Sequence, residues 1–142
     1  MPTLMQLHRG IGGFVIEAEF LGDQFGHAIS GLGDFNGDGF GDMVVSATYS
    51  DANGDQSGKI YVIFGAKDLD SVSLADLHGG LRGFVILGHL PNDRAGVFVG
   101  GVGDVQADGY SDLVFAADVD NLSEEDSPGR LYLMFGGPFG GL

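Results

Sequence analysis

The sequence of 142 residues predicts an all-β fold built from two copies of one four-stranded unit. Three observations predict it. Gly is the compositional outlier, with 27 residues, yet the chain is 44% hydrophobic and has only 4 Pro and no Gly-X-Y period. That excludes collagen and disorder and suggests short strands joined by tight turns. The chain also repeats itself at a period of about 70 residues,. Finally, the apolar residues fall in short runs bounded by Gly, Asp and Asn clusters, the pattern of antiparallel strands.

The repeat sets Gly13-Phe14-Val15-Ile16 on Gly83-Phe84-Val85-Ile86, and Leu4, Leu7 and His8 on Leu74, Leu77 and His78. Asp34, Asp38, Gly39 and Asp42 fall on Asp104, Asp108, Gly109 and Asp112. After one inserted residue, Gly58, Tyr61, Phe64 and Gly65 meet Gly129, Tyr132, Phe135 and Gly136. The units are therefore residues 1–72 and 73–142. In the first unit the strand-like runs are Phe14–Ile16, residues 25–32, Met43–Ala47 and Ile60–Phe64. The second repeats them at Phe84–Leu87, Val97–Val102, Leu113–Ala117 and Leu131–Phe135. Segment 67–79 opens Ser-x-x-Asp at Ser73 and spaces Leu74 and Leu77 for one helical turn, no more,. Asp23 and Asp93 are equivalent and are expected to cap the turn before the following strand. Four strands per unit at this period is the arithmetic of a β-propeller blade or a β-solenoid.

Charge and composition exclude several functions. There are 20 acidic residues against 6 basic ones, a formal charge of −14. Such a surface repels phosphate backbones, so no nucleic-acid or anionic-membrane binding is expected. The absence of Cys excludes disulfides, thiolate zinc sites and cysteine nucleophiles,. No apolar run is long enough to span a bilayer, and Met1 to Gly10 lacks a signal-peptide pattern.

The sharpest chemistry lies in the nonapeptide Asp34-Phe35-Asn36-Gly37-Asp38-Gly39-Phe40-Gly41-Asp42. Oxygen-bearing side chains stand at its positions 1, 3, 5 and 9: Asp34, Asn36, Asp38 and Asp42. The carbonyl of Phe40, at position 7, offers a further oxygen. Ca²⁺ takes about six to eight oxygen ligands, and a tight loop presents alternate side chains to one centre. Mg²⁺ suits the loop less, because it demands a rigid octahedron and keeps its waters. The loop is no EF-hand, which closes on a Glu at position 12; here that position is Val45, within a strand-like run,. The second copy offers Asp104, Gln106, Asp108, the carbonyl of Tyr110, and Asp112. Gln106 has a longer stem than Asn36, and Ala107 replaces Gly37, so weaker binding is expected there. The competing reading is that such Asx-rich turns stabilise themselves through side-chain-to-backbone bonds without metal.

These residues resemble the FG-GAP repeat of integrin alpha chains and of many bacterial surface and secreted proteins. The resemblance rests on Phe25-Gly26, on Ser46-Ala47-Thr48 in the Gly-Ala-Pro position, and on the Asp-x-Asn-x-Asp-Gly-x-x-Asp loop between them. The second copy departs further, with Ala95-Gly96 and Ala116-Ala117-Asp118. The resemblance implies two four-stranded β-propeller blades, with calcium-binding loops between neighbouring strands at Asp34, Asn36, Asp38 and Asp42. It also implies that repeat and blade are out of phase. Phe84–Leu87 would then finish the first blade, the second would lack its outer strand, and Phe14–Ile16 would be a strand without a blade. Two blades cannot close a ring. We therefore expect self-association that completes a closed propeller, with Phe14–Ile16 of one chain finishing the second blade of the next. Three chains give six blades and four give eight.

Little else reads as chemical. His8 and His78 are equivalent and follow Leu7 and Leu77, which favours structural roles. No nucleophile elbow is present, and the acidic pairs Glu17/Glu19 and Glu124/Glu125 sit where solvated segments are expected. The loops Tyr49–Ser57 and Asp118–Pro128 differ most between copies and are the expected ligand-binding positions, for a protein or a glycan. Asp51, Asn53 and Asp55 form a looser candidate cation site. The expected function is a non-catalytic calcium-binding module for adhesion or protein interaction, extracellular or at the cell surface, where millimolar Ca²⁺ suits weak loops. Two alternatives stand beside it: an accessory propeller fragment of a larger secreted hydrolase, and a reconstructed or designed minimal propeller.

Overall fold

A computed structural model describes residues 1, 3–118 and 129–138. Its elements are α1 (Leu4–His8), β1 (Phe25–Gly33), β2 (Asp42–Ala47), β3 (Lys59–Ile63), α2 (Leu74–Leu77), β4 (Gly83–Leu87), β5 (Phe98–Gly103), β6 (Asp112–Ala117) and β7 (Arg130–Met134). They form two antiparallel sheets, one ordered β1-β2-β3-β4 and the other β5-β6-β7. The sheets stack, with β1 against β5.

The sheets do not follow the unit boundary at 72. β4 belongs to the second sequence unit but pairs along β3, from Lys59↔Leu87 to Ile63↔Gly83. This is the out-of-phase arrangement. The second sheet has three strands among the described residues.

One core lies between the sheets. Leu32, Val44, Ile60 and Val62 of the first meet Val99, Leu113, Phe115 and Ala117 of the second, with Phe35 filling the loop end. The strand period of two sends alternate residues to the far face. There Val45, Ala47, Tyr61 and Ile63 are covered by Leu74 and Leu77 of α2, with Ile16 and Phe25 packed against them. Phe25 meets Tyr61 edge-on, with ring centroids 5.4 Å apart.

Three expectations are corrected. Phe14–Ile16 belongs to no strand; a lone extended segment has no ladder to satisfy its backbone. Ser73 precedes α2, but its side chain makes no cap bond. The capping box sits instead at α1, where Thr3 and Gln6 exchange bonds. Glu19, read as solvated, is instead largely buried at the hub of a polar cluster. Its Oε2 accepts from Lys59 Nζ at 3.0 Å and Tyr61 Oη at 2.6 Å, and its Oε1 lies 2.9 Å from His78 Nε2. Glu124/Glu125 and residues 119–128 lie outside the described residues.

Candidate metal centre

Both Asp-rich segments join the same pair of strand positions: 34–42 leads from β1 into β2, and 104–112 from β5 into β6. The strands arrive in matching register. Gly33↔Asp42 and Gly103↔Asp112 each follow an irregularity after Gly31 or Gly101. Gly33 and Gly103 turn the chain at φ 72° and 73°.

The first loop is folded by its own carboxylates. Asp34 Oδ1 accepts from the amides of Gly37 (2.7 Å) and Asp38 (3.0 Å), and Oδ2 accepts from Gly39 (2.9 Å). Asn36 Oδ1 accepts from Asp38 N, and Asp38 Oδ1 from Phe40 N at 2.9 Å. Asp42 stands apart. It is buried at the base, where Oδ2 accepts from Phe35 N (2.8 Å) and Oδ1 from Gly65 N (2.9 Å). Burial pushes the Asp42 carboxyl above the usual range. The Gly65 and Phe35 amides oppose that shift, and the negative charge of Asp38 adds to it,.

The second loop repeats the carboxylate bonds of the first. Asp104 accepts from Asp108 N (3.0 Å) and Gly109 N (2.7 Å), and Asp108 accepts from Tyr110 N (3.1 Å). The amide of Gly109, foremost, holds the Asp104 carboxyl below its ordinary range. Buried Asp112 accepts from Val105 N (2.7 Å) and Gly136 N (2.9 Å). Gln106 follows Asn36 in directing its amide nitrogen to the Asp two residues on, at 2.6 Å against 3.0 Å.

The loops also touch each other. Ser111 N donates to the carbonyl of Asp34 at 3.0 Å, and Gly137 N donates to that of Phe35 at 2.8 Å. Gly37 lies so close under the Tyr110 ring that a Cβ would collide with it, and its φ of +80° already disfavours a side chain,. Ala107, the counterpart of Gly37, keeps the left-handed backbone at φ 58° despite its Cβ. Ala107→Gly is therefore expected to stabilise the chain by roughly 0.5–1 kcal/mol in urea unfolding, the relief exceeding the added unfolded-state entropy.

The donor set fits a hard cation in its chemistry: carboxylate, amide and carbonyl oxygens only, with buried Asp42 under repulsion from Asp38,. The geometry satisfies the backbone first. Among the described residues no three His, Asp or Glu side chains converge as a finished cage. The looser candidate does not assemble. Asn53 turns its amide nitrogen to the carbonyls of Gly88 (2.9 Å) and His89 (3.0 Å), and Asp51 Oδ1 accepts from Gln56 N (2.8 Å).

Residues 25–63, from the start of β1 to the end of β3, match the family described as FG-GAP repeat. The chain carries an integrin-like FG-GAP repeat. It is similar to the integrin alpha chain pat-2 of Caenorhabditis elegans, at 30% identity over 81% of this chain and 9% of the relative. Integrin alpha-6 of Gallus gallus is 29% identical over 86% of this chain and 10% of its own length. Integrin alpha-3 of Mus musculus is 31% identical over 78% of this chain and 10% of its own. The chain thus spans about a tenth of the length of these relatives. The FG-GAP match ends at the close of β3, one strand short of the four-stranded sheet. Among the described residues no helix is long and apolar enough to cross a membrane.

Proposed function

We propose that the chain is a non-catalytic, calcium-stabilised β-propeller module for adhesion or protein–protein interaction, working outside the cell or at its surface. One observation carries the calcium reading: two loops at equivalent strand junctions each gather three carboxylates, one of them a buried Asp at the base, although their sequences differ at positions 2, 3, 4, 7 and 8. Asp34, Asn36, Asp38 and Asp42, with the Phe40 carbonyl, would hold one ion. Asp104, Gln106, Asp108 and Asp112, with the Tyr110 carbonyl, would hold another, more weakly. Calcium supplies the charge that three carboxylates in nine residues need, and so ties each loop to its buried Asp and strand pair. The likeness to integrin alpha chains favours an interaction role over a catalytic one.

The test is thermal unfolding of the intact chain in millimolar calcium and in chelator. Ligand binding to the folded state raises its stability by mass action. A melting temperature several degrees higher in calcium, with a smaller rise in equal magnesium, is expected. Identical melts in all three buffers would contradict the reading.

A further inference from the structure

The chain shows within itself what the outer edge of a blade requires. Residues 73–87 cover the edge of the first sheet. Leu74 and Leu77 of α2 are 3% and 1% exposed, and β4 pairs along β3, where Ile60, Tyr61 and Val62 are at most 1% exposed. The repeat gives both partners of this contact a counterpart, and both counterparts are uncovered. Residues 3–17 correspond to 73–87, yet α1 buries none of its residues and Leu4 is 81% exposed. β7 corresponds to β3, yet Leu131, Tyr132 and Leu133 are 69%, 38% and 47% exposed. Among the described residues β7 pairs with β6 alone.

We propose that Gly13–Glu17 is a donated edge strand, which pairs antiparallel with β7 of a second copy of this chain. The inference rests on the propeller reading but not on calcium. The same chain cannot make the contact. Ile16 already packs beside Val45, Ala47 and Tyr61, on the face of the first sheet that points away from the second. β7 lies beyond the inter-sheet core, with Met134 packed against it.

The register follows from β3 and β4. Carried over by the repeat, it sets Gly13 opposite Met134, Phe14 opposite Leu133, Val15 opposite Tyr132 and Ile16 opposite Leu131. It also sets Glu17 opposite Arg130, where the covered edge has Leu87 opposite Lys59. Glu17 is 78% exposed on its side chain, and its nearest ion-pair partner, His8, is 3.9 Å away. The charge pair is thus specific to the open edge, and opposite charges directly across a ladder favour pairing.

A buried atom supports the same contact. Asp93 Oδ2 accepts from the amides of His89 (3.1 Å) and Leu90 (2.7 Å), so the turn after the paired strand β4 is closed. The counterpart, Asp23 Oδ2, is buried without a hydrogen-bond partner. Fixing residues 13–17 in a ladder would bring the Glu19 and Phe20 amides under the constraint that closes the second turn. The interface continues the blade-to-blade stacking already present in the chain by one further step. Such head-to-tail contacts close when the rotation per step permits, and propellers close with about four to eight blades.

The test uses the intact chain, which has no cysteine of its own. Light scattering is expected to give three or four times the chain mass of 14.8 kDa. Glu17→Cys with Arg130→Cys is expected to yield covalent oligomers on mild oxidation, whereas pairing Glu17→Cys with Leu131→Cys shifts the register by one residue and should cross-link at least fivefold less. Arg130→Glu should dissociate the assembly at about tenfold higher protein concentration than the parent chain, and Glu17→Arg added to it should restore the parent mass. A monomer at every concentration would overturn the proposal and leave the edge to another protein. So would cross-linking that ignores register. Calcium-raised melting in a monomer would overturn strand donation while leaving the calcium reading standing.

Discussion

Asp42→Ala is expected to destabilise the fold by about 2–5 kcal/mol in chelator, and by more in calcium, where the variant also loses an ion ligand. The carboxylate is buried, and its two oxygens separately accept the amides of Phe35 and Gly65. Truncation leaves two N–H donors with no acceptor, and each such loss costs about 1–3 kcal/mol where water cannot reach. The bonds link the start of the Asp loop to the residues leaving β3, so the loss loosens three elements together. Asp112→Ala should cost less, because Val105, one of its two partners, is exposed where Phe35 is buried. Urea unfolding of both variants with added chelator measures the effect. Parent-like stability would show that these aspartates hold no structure without an ion.

Glu19→Ala should cost about 3–5 kcal/mol, because it strands a buried ammonium. Lys59 is 3% exposed, and its Nζ meets Glu19 together with the rings of Phe20 and Tyr61, 5.2 and 5.6 Å away. Removing both charges, as Glu19→Ala with Lys59→Met, should recover most of the loss. A pH signature accompanies the cluster. Burial would raise the Glu19 carboxyl. Bonds from Tyr61, His78 and Lys59 overcome it and hold the group down at about 2, from an ordinary 4.5. A lowered folded-state value stabilises above the unfolded value and is lost as pH falls through the folded one. Stability from Glu19 is therefore full above about pH 4.5 and declines toward pH 2, and Glu19→Gln should flatten that part of the curve. A Glu19→Gln melt as acid-sensitive as the parent's in that window would contradict the assignment.

The repeat and the Asp loops were legible in the sequence because both depend on short-range spacing. Nine residues set out the bonds of the Asp34 side chain, while the phase that puts β4 on the first sheet was implied by the FG-GAP resemblance and not by the repeat itself. The Glu19 cluster was not legible. Its counterpart in the repeat is His89, so self-comparison carried no signal, and its partners Lys59, Tyr61 and His78 are distant in sequence. Only a lysine opening a buried strand hinted at a hidden counter-charge. Phe14–Ile16 has the sequence of a strand, but strandedness belongs to the pair, and no strand among the described residues lies beside it. Asn53 misled for the opposite reason. Asp51, Asn53 and Asp55 are spaced like ligands, but the crossing of residues 88–95 supplies carbonyls that claim the amide.

The calcium claim is tested most directly by comparing Asp38→Ala with the parent chain in thermal unfolding, each in millimolar calcium and in chelator. Asp38 is exposed and accepts from the Phe40 amide and the Asn36 side chain, so its loss alone should shift the chelated melt little. The account predicts that calcium raises the parent's melting temperature by several degrees and Asp38→Ala's by much less, with Asp108→Ala intermediate because its loop is the weaker. An equal calcium-induced rise in parent and Asp38→Ala, or none in either, would contradict it.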